Sequence, residues 1–415
     1  MLDIQYIRDN AEAVKTSAKN KNANPAVVDN LLEVDKKRRE LIGKAEVVRA
    51  ARNKLNDQLK TARTDVLIAK SKELKLALED IEPELKQLES AFTDLMFQIP
   101  NVALPEVPVG KDESANVVVK EWGEKPKFDF TPLDHIAIAG KNDWLDLGRG
   151  SKVAGYRGYY LKNDAVLLQI RLMQYALKKF IDKGYTPLIP PVVNNRQAFV
   201  NASQFPWHED EAYRLGVDET DPKNDYFLAP TAETPLVSYY AGETLREKDL
   251  PIKMAGFSPC YRREIGSYGK DTKGFYRVHE FWKIEQVVLC KADIAESIDW
   301  HEKMLSYTEE LLQDFGIPYR VLLMCTGDMG ESQAKKYDIE AWMPGRGAYG
   351  EVASDSIMTD FQSRRANIRY QSADGTLKYV HMLNNTALAS TRTLIALWEN
   401  LQQADGTVKL PKCLT

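Results

Sequence analysis

Two long rows of apolar residues constrain the first hundred residues of this chain more than any other feature. Between Val27 and Val66, and again between Leu74 and Ile99, mostly apolar side chains recur at alternating spacings of four and three residues, and ten of the twelve positions in the first row are apolar. That pattern places them along one side of an α-helix and is typical of coiled coils. Thr64, which an acidic residue follows, carries a helix N-cap signal between the two rows. The sequence therefore predicts two helices, each about 50 Å long at the standard rise, that pair as an antiparallel arm.

Prolines mark where this arm is expected to bend and where it ends. Pro83 lies inside the second row, and because a proline removes a helical backbone hydrogen bond, a kink is expected near residues 79–83. The helical pattern stops at Pro100, and Pro105 and Pro108 follow. Such a stretch is typical of a linker. We therefore predict a helical domain over residues 1–100, a linker over residues 101–130 and a second domain over residues 131–415.

The charges of the arm allow two interpretations. The first helix carries many basic residues, among them Arg38, Arg39, Lys44, Arg49, Arg52 and Lys54. The second helix carries mainly acidic ones, among them Glu73, Glu79, Asp80, Glu82, Glu84 and Glu89. Either these are solvated faces with ion pairs between the helices, or the basic helix follows the phosphate backbone of a nucleic acid. The arm by itself does not decide between the two.

Composition excludes several classes of protein. The 415 residues are 44% hydrophobic, and 56 basic against 60 acidic residues give a net charge of −4, so any nucleic-acid contact must be regional. The four cysteines form no CxxC pair and the five histidines are scattered, so neither a disulfide framework nor a zinc site is expected. The N-terminus has no apolar leader, and no stretch approaches the roughly 20 apolar residues that span a bilayer. The expectation is a cytoplasmic protein without membrane segments.

The second domain is predicted to mix helices and strands. Helical patterns such as residues 164–183 alternate with β-rich runs such as residues 281–290 and 319–324. Neither G-x-G-x-x-G after a strand nor GxxxxGK[ST] occurs. If this domain binds a nucleotide, arginine side chains must therefore hold its phosphates.

Three local patterns supply such arginines and the groups that accompany them. The first is KGYTPLIPP at residues 183–191, where a helix ends at a glycine and an extended run stops at proline. The second is YRRE at residues 261–264, then a glycine-rich loop through Gly266, Gly269 and Gly274, then RVHEF at residues 277–281. The third is NNTALASTR at residues 384–392. An arginine binds phosphate in a bidentate manner, a carboxylate accepts from an amine, and an aromatic ring stacks on a purine.

These patterns, in this order, resemble the three signature motifs of class II aminoacyl-tRNA synthetases. Further segments narrow the resemblance to seryl-tRNA synthetases of the bacterial type: FLAPTAE at residues 227–233, CTGDMG at 325–330, YDIEAWMP at 337–344 and QQADG at 402–406. The resemblance implies an α+β fold, in which an antiparallel sheet flanked by helices forms the catalytic domain and the N-terminal coiled coil forms an arm. It also implies a homodimer that activates L-serine with ATP and Mg²⁺ and serves tRNA(Ser), and tRNA(Sec) where that exists. In that family the arm grips the tRNA, which favours the phosphate-backbone interpretation.

The resemblance also implies a role for individual residues. Those matching the serine site are Thr231, Ala232, Glu233, Arg262, Glu285, Asn384 and Thr386. Those matching the ATP site are Arg262, Arg263, Glu264, Val278, Phe281, Glu351, Val352, Ala353, Ser354 and Arg392. Arg262, Glu351 and Arg392 match the catalytic residues, and Glu351 and Ser354 match the Mg²⁺ ligands; no zinc is implied.

One segment departs from the family pattern, and two other functions remain open. Where relatives commonly carry Ser-Ser-Cys-Ser, this chain has Ala353, Ser354, Asp355 and Ser356. Asp355 either strengthens magnesium binding or points at the backbone. A paralogue that activates a small amino acid for a carrier protein is disfavoured by the long arm. An inactive nucleic-acid-binding paralogue is disfavoured because Arg262, Glu351 and Arg392 are all present.

Overall fold

The fold was analysed on a computed structural model that describes residues 1–62, 64–216, 225–265 and 274–415. Gly266 and Gly269 of the predicted glycine-rich loop lie outside these described residues. The described chain forms two compact units, one of residues 2–100 and the other of residues 101–415 together with Met1. The predicted division into residues 1–100, 101–130 and 131–415 stays a prediction.

The first unit is helical, and its long hairpin confirms the predicted arm. Its helices are α1 (Ile4–Asp9), α2 (Ala11–Asn20), α3 (Ala26–Thr61) and α4 (Asp65–Gln98). Helices α3 and α4 pack along each other, and several residues of the two apolar rows are buried: Leu31, Ala45, Leu55, Leu78 and Leu85. The Thr64 hydroxyl caps α4 by accepting from the Leu67 amide at 3.4 Å. Helix α4 continues through Pro83, and the expected kink stays a prediction.

The second unit is built on strands, most of which are antiparallel. These are β1 (Val117–Trp122), β2 (Leu145–Asp146), β3 (Tyr160–Leu161), β4 (Thr186–Leu188), β5 (Val193–Asn195), β6 (Arg214–Leu215), β7 (Tyr226–Leu228), β8 (Thr244–Arg246), β9 (Ile252–Tyr261), β10 (Glu280–Cys290), β11 (Tyr319–Leu323), β12 (Lys335–Met343), β13 (Ala348–Thr359), β14 (Arg369–Gln371), β15 (Leu377–Tyr379) and β16 (His381–Ala389). The main sheet has the order β1-β11-β12-β13-β16-β10-β9-β4. Only the β4–β9 pair within it is parallel. The predicted α+β fold with an antiparallel sheet is confirmed.

Helices pack on this sheet and bury its apolar side chains. They are α5 (His135–Lys141), α6 (Leu147–Ala154), α7 (Asp164–Asp182), α8 (Arg196–Asn201), α9 (Glu233–Val237), α10 (Ile294–Asp314), α11 (Phe361–Ala366) and α12 (Ser390–Leu401), with 3₁₀ turns at Glu113–Ala115, Glu209–Glu211, Glu247–Asp249 and Lys412–Leu414. Helix α10 begins where the Asp293 carboxylate caps the Glu296 amide at 2.9 Å and packs on β10, β13 and β16. Apolar residues of α7, α10 and α12 share one core with the sheet, including Phe180, Met304 and Trp398. No helix among the described residues combines the length and apolar character needed to cross a bilayer.

Candidate active site

Two adjoining cavities lie on the face of the main sheet opposite α10. Their volumes are about 480 Å³ and about 220 Å³. Neighbouring side chains of a strand point to opposite faces, so Glu285 of β10 lines the larger cavity while Gln286 donates to the Met304 carbonyl of α10 at 3.4 Å. The two cavities share part of their lining: Arg262, Glu264, Arg277, Lys283, Gln333, Ser354 and Thr386. We call the region that these shared residues line the junction. Two ligands, one in each cavity, would contact each other there.

Carboxylates make one end of the larger cavity acidic. Glu233, the first residue of α9, accepts hydrogen bonds from Gln362 Nε2 at 2.8 Å and from Asn384 Nδ2 at 2.9 Å. Burial is the largest cause of a raised pKa of Glu233, and the negative charge of Glu285 is the second. Together they raise this pKa to about 7. Two carboxylates that repel each other in this way favour a bound cation, such as a protonated amine.

Lys283 is a buried residue of this cavity that the motifs did not single out. Its Nζ donates to Thr231 Oγ1 at 2.6 Å and pairs with the Glu285 carboxylate. The Thr386 hydroxyl lies 3.5 Å from the same carboxylate. Alternate residues of a strand share a face, so the positions of Phe281 and Glu285 on β10 were a signal that Lys283 lies beside them.

Arg262 lies at the junction of the two cavities, just after β9 ends. Its Nε donates to the Pro230 carbonyl at 3.2 Å, and its guanidinium carbon lies 5.3 Å from the centre of the Phe281 ring. The backbone is fixed as well, since the Arg262 amide donates to the His279 carbonyl at 2.9 Å. The side chain is thus held where an anion in either cavity would meet it.

An ion pair lies in the smaller cavity. Arg392, in the first turn of α12, donates to the Glu351 carboxylate at 3.0 Å and lies 4.7 Å above the Tyr276 ring. Burial alone would raise the pKa of Glu351, but the charges of Arg392 and Lys336 outweigh it and lower that pKa to about 2. Both groups therefore stay charged at neutral pH. The predicted residues Val278, Phe281, Val352, Ala353 and Ser354 also line this cavity.

Two predicted residues do not line either cavity. The Arg263 side chain donates to the Asp210 carbonyl at 2.8 Å, and Ala232 is buried beneath the start of α9. Glu264, by contrast, lines both cavities and pairs with Arg157 and Arg277 at 3.4 Å each. The structure thus brings the other predicted serine-site and ATP-site residues together and leaves these two outside.

Asp355 lies on the opposite side of the sheet from the cavities. It is fully buried, and its carbonyl lies 3.1 Å from Nε2 of His301, a buried residue of α10. Its neighbour Ser354 faces the cavities, because adjacent residues of β13 point to opposite faces. Of the two interpretations left open by the sequence, the one that places Asp355 beside the metal is therefore wrong.

The structure adds residues that the motifs did not indicate. Gln333 lines both cavities and donates from Nε2 to the Ser356 hydroxyl at 3.1 Å. Lys336 of β12 lines the smaller cavity and pairs with Asp338 at 2.9 Å. His208 lines the larger cavity and pairs with Glu331 at 3.4 Å, which raises the pKa of the imidazole. These residues lie between the recognised motifs, where the sequence has no local pattern to mark them.

The basic residues predicted on the arm have different environments. The guanidinium of Arg38 lies 4.5 Å above the Phe92 ring, Arg39 pairs with Asp35 at 3.1 Å, and Arg49 pairs with Glu82 of α4 at 3.2 Å. Among the described residues Lys44, Arg52 and Lys54 form no ion pair and are exposed. The arm thus contains the interhelical pairing of one interpretation and the exposed cations that the other requires.

A groove near the tip of the arm carries three more lysines. It has a volume of about 450 Å³, and Lys60 of α3 and Lys72 and Lys75 of α4 line it. The second helix is therefore not acidic throughout, because lysines accompany Asp65 and Glu73 near its N-terminus. Lys60 belongs to the basic first helix, whereas Lys72 and Lys75 were missed because the charges of the two helices were compared as whole segments.

Comparison with known proteins identifies the family. Residues 1–103 match the model described as seryl-tRNA synthetase N-terminal domain, and residues 213–401 match the class II tRNA synthetase core domain (G, H, P, S and T). The serine–tRNA ligase of Deinococcus radiodurans is 44% identical over 417 residues, which span 100% of this chain and 96% of that protein. This chain belongs to the seryl-tRNA synthetase family. The resemblance predicted from the motifs is thereby confirmed.

Solved structures of seryl-tRNA synthetases share the fold along the whole chain. The crystal structure of the enzyme from Pyrococcus horikoshii complexed with ATP has a TM-score of 0.91 and 39% identity, with 100% of this chain and 97% of that chain covered. The cytoplasmic serine–tRNA ligase of Naegleria fowleri in complex with AMP has a TM-score of 0.87 and 32% identity, with 100% and 96% covered. Both relatives were solved with an adenine nucleotide bound.

Proposed function

We propose that this protein is a serine–tRNA ligase, which activates L-serine with ATP to seryl-adenylate and transfers the seryl group to tRNA(Ser). The single observation that carries the proposal is the junction at Arg262, where an acidic cavity adjoins a cavity that contains the Glu351–Arg392 pair. An amino acid and a nucleoside triphosphate need such an arrangement, because the carboxylate of one must reach the α-phosphorus of the other. The two solved relatives with bound ATP and AMP support it.

Serine occupies the larger cavity in this proposal. Its ammonium group pairs with Glu233 and Glu285 and contacts Thr231, whereas its carboxylate faces Arg262. Asn384 and Thr386 lie near the serine hydroxyl. A buried site that hydrogen-bonds this hydroxyl disfavours alanine by about 10⁴-fold, because alanine leaves the polar partners unpaired. Threonine must be excluded by volume.

ATP occupies the smaller cavity. Phe281 stacks on the adenine ring, the Val278 backbone and the Glu264 carboxylate bind its edge, Arg262 binds the α-phosphate and Arg392 the γ-phosphate. Arginine suits both phosphates because its planar guanidinium donates in a bidentate manner. Arg263 and Ala232 remain candidates from the family resemblance alone, since neither lines the larger or the smaller cavity.

The first chemical step needs positioning and charge neutralisation more than proton transfer. The serine carboxylate attacks the α-phosphorus in line, a new C–O–P linkage forms, and diphosphate leaves. A carboxylate is already a competent nucleophile, so no general base is required. Arg262 and Arg392 oppose the negative charge that develops on the phosphoryl oxygens. In the second step a terminal ribose hydroxyl of the tRNA takes the seryl group and AMP leaves.

The residues around Glu351 fit a magnesium ion. Mg²⁺ prefers oxygen ligands and is usually bound by one or two carboxylates together with substrate phosphates. The Glu351 carboxylate, kept ionised by Arg392, and the Ser354 hydroxyl both line the smaller cavity. Mg²⁺ bound there would neutralise phosphate charge. Among the described residues no group of three His, Cys, Asp or Glu side chains could hold a metal without the nucleotide.

The partners follow from the same proposal. The basic residues of α3, from Arg38 to Lys54, track the phosphates of the tRNA, and two copies of the chain form a homodimer in the cytoplasm. tRNA(Sec) is a second substrate where the organism has it. These statements rest on the family resemblance and on the exposed cations of the arm.

The proposal is tested by ATP–diphosphate exchange with serine, threonine, alanine and glycine as separate substrates. Exchange with serine alone is expected, and exchange with none would favour an inactive nucleic-acid-binding paralogue. Arg262→Ala should lower serine-dependent exchange by at least about 10²-fold while tRNA binding stays near that of the wild type. Arg246→Ala, which removes an exposed arginine paired with Asp249, is the matched control and should leave exchange unchanged.

A further inference from the structure

Lys283 is a buried cation in the larger cavity, whose carboxylates are proposed to bind the ammonium group of serine. Its side chain is almost fully buried in β10, and its Nζ donates to Thr231 Oγ1 at 2.6 Å and pairs with Glu285. Thr231 and Glu285 are two of the groups that the proposed function assigns to the amino group of serine. The lysine ammonium therefore makes contacts that the substrate ammonium needs.

The chemistry of the two ammonium groups is the same. Each carries one positive charge and three N–H donors. A buried carboxylate without a cation is costly, so Lys283 satisfies Glu285 as long as serine is absent. When serine binds, two cations compete for one set of acceptors, and like charges at contact distance repel each other.

The fold provides a place for the displaced lysine. Lys283 lines the larger and the smaller cavity alike, so its side chain borders the junction where the serine carboxylate and the α-phosphate would meet. A lysine has a flexible four-carbon side chain that can turn from one partner to another. The Phe281 and Glu285 positions on either side of it along β10 are fixed by regular pairing with Cys260 and Gly256 of β9.

We propose, on the basis of the proposed function, that the Lys283 ammonium occupies the subsite of the serine amino group in the empty enzyme and is displaced toward the junction when serine binds. Serine compensates for this displacement because its own carboxylate becomes the new partner of the lysine. A ligand with an amine but no carboxylate also displaces the lysine, but it provides no anion with which the displaced ammonium group can pair. Lys283 thereby adds selectivity for amino acids over simple amines.

The test compares the binding of serine and of serinamide, which lacks the carboxylate, by calorimetry at about pH 7, where the amino groups of both ligands are mainly protonated. Lys283→Met and Lys283→Ala should bind serinamide at least about threefold more tightly than the wild type, the gain expected when the competing state is populated two thirds of the time or more. Serine should gain less than serinamide. Lys253→Met is the matched control, since Lys253 lies on the adjacent strand and donates to the Lys183 carbonyl at 2.8 Å, and it should change neither affinity.

Serinamide binding in both Lys283 variants that is weaker than or equal to that of the wild type would overturn the inference, because the lysine would then not compete for the subsite. If the wild type shows no serine-dependent exchange at all, the proposed function fails instead, so the two failures are distinguishable. Should the variants not fold, a crystal structure of the wild type with a non-hydrolysable seryl-adenylate mimic decides. Lys283 Nζ must have left Thr231 Oγ1 in that complex, and a retained hydrogen bond would refute the displacement.

Discussion

Glu233 is a residue whose charge should control serine binding near neutral pH. Burial and the neighbouring Glu285 raise its pKa to about 7, so this carboxyl group is largely protonated below that pH and ionised above it. The serine ammonium needs the ionised form. We therefore expect kcat/KM for serine-dependent ATP–diphosphate exchange to rise between about pH 6 and pH 8, since this ratio reports the ionisation of the free enzyme.

Glu233→Gln tests this assignment. Glutamine keeps the hydrogen-bonding shape but cannot titrate, so kcat/KM should fall at least about tenfold at pH 8 and the rise between pH 6 and pH 8 should disappear. His208→Asn is the necessary comparison, because the pKa of His208 is also raised and its ring lines the same cavity. That variant should keep the rise; if instead it alone loses the rise, His208 is the titrating group.

Most site residues could be predicted from their immediate neighbours in the sequence, because they belong to short motifs. Thr231, Arg262 and Arg392 each lie in a run of characteristic residues, and these runs resemble family signatures. Lys283 was missed although it lies two residues from a recognised one, since a lysine in a strand is ordinarily exposed. Its burial depends on Thr231, which is 52 positions away in the chain.

A polar row beneath α10 shows how strand register creates an environment that no local motif contains. Asp355 of β13 is paired with Asn385 of β16, and Asn385 is paired with Gln286 of β10, so the three side chains share one face. All three are buried. Burial, followed by the charges of Glu302 and Glu285, raises the pKa of Asp355 well above its usual range.

Asp355→Asn should therefore become more stable than the wild type as the pH rises. The native state holds the Asp355 proton more tightly than the unfolded chain, so this group lowers the free energy of unfolding progressively above about pH 4. Asparagine has the same shape and cannot ionise. Melting temperatures measured at pH 5 and pH 8 should show a difference that grows in favour of the variant; a difference that stays constant would mean that Asp355 is ionised in the native state throughout this range.

The lysines that line the groove at the tip of the α3–α4 hairpin lead to a prediction about the salt dependence of tRNA binding. Replacing Lys60, Lys72 and Lys75 with glutamine removes three cations that line it. If this groove contacts tRNA phosphates, each replacement should reduce the slope of log affinity against log salt concentration by up to about 1. Lys86→Gln, an exposed change on α4 outside the groove, is the control, and exchange without tRNA should be unaffected in all variants. An unchanged slope in the triple variant would exclude the groove from the tRNA contact.

At the scale of the whole molecule, activation and tRNA recognition should be separable. Residues 2–100 form one compact unit, and both cavities of the site lie in the other. Deleting residues 34–95 and joining the remaining helix ends should leave serine-dependent exchange close to that of the wild type but abolish the charging of tRNA. Unchanged tRNA charging would show that the arm is not required, whereas loss of exchange would show that the catalytic unit needs it.

The sequence by itself determined the helical arm and the chemical types of the site residues, whereas the antiparallel α+β fold followed from the resemblance of its motifs to a known family. Heptad spacing and capping act over a few residues, so α3 and α4 could be located from the Val27–Val66 and Leu74–Ile99 rows and the Thr64 cap. The arginines of the site were recognisable because a phosphate needs them, whatever the fold around them.

Only the tertiary structure decided which face of the sheet each side chain occupies and which charges meet there. Ser354 and Asp355 are neighbours in sequence, yet one faces the cavities and the other is buried beneath α10. Lys283 and Glu285 are paired within a strand, but their shared partner Thr231 comes from a distant loop. The reason is physical: burial, pKa and ion pairing depend on distances between strands, and those distances are set by register and packing that no local stretch of sequence specifies.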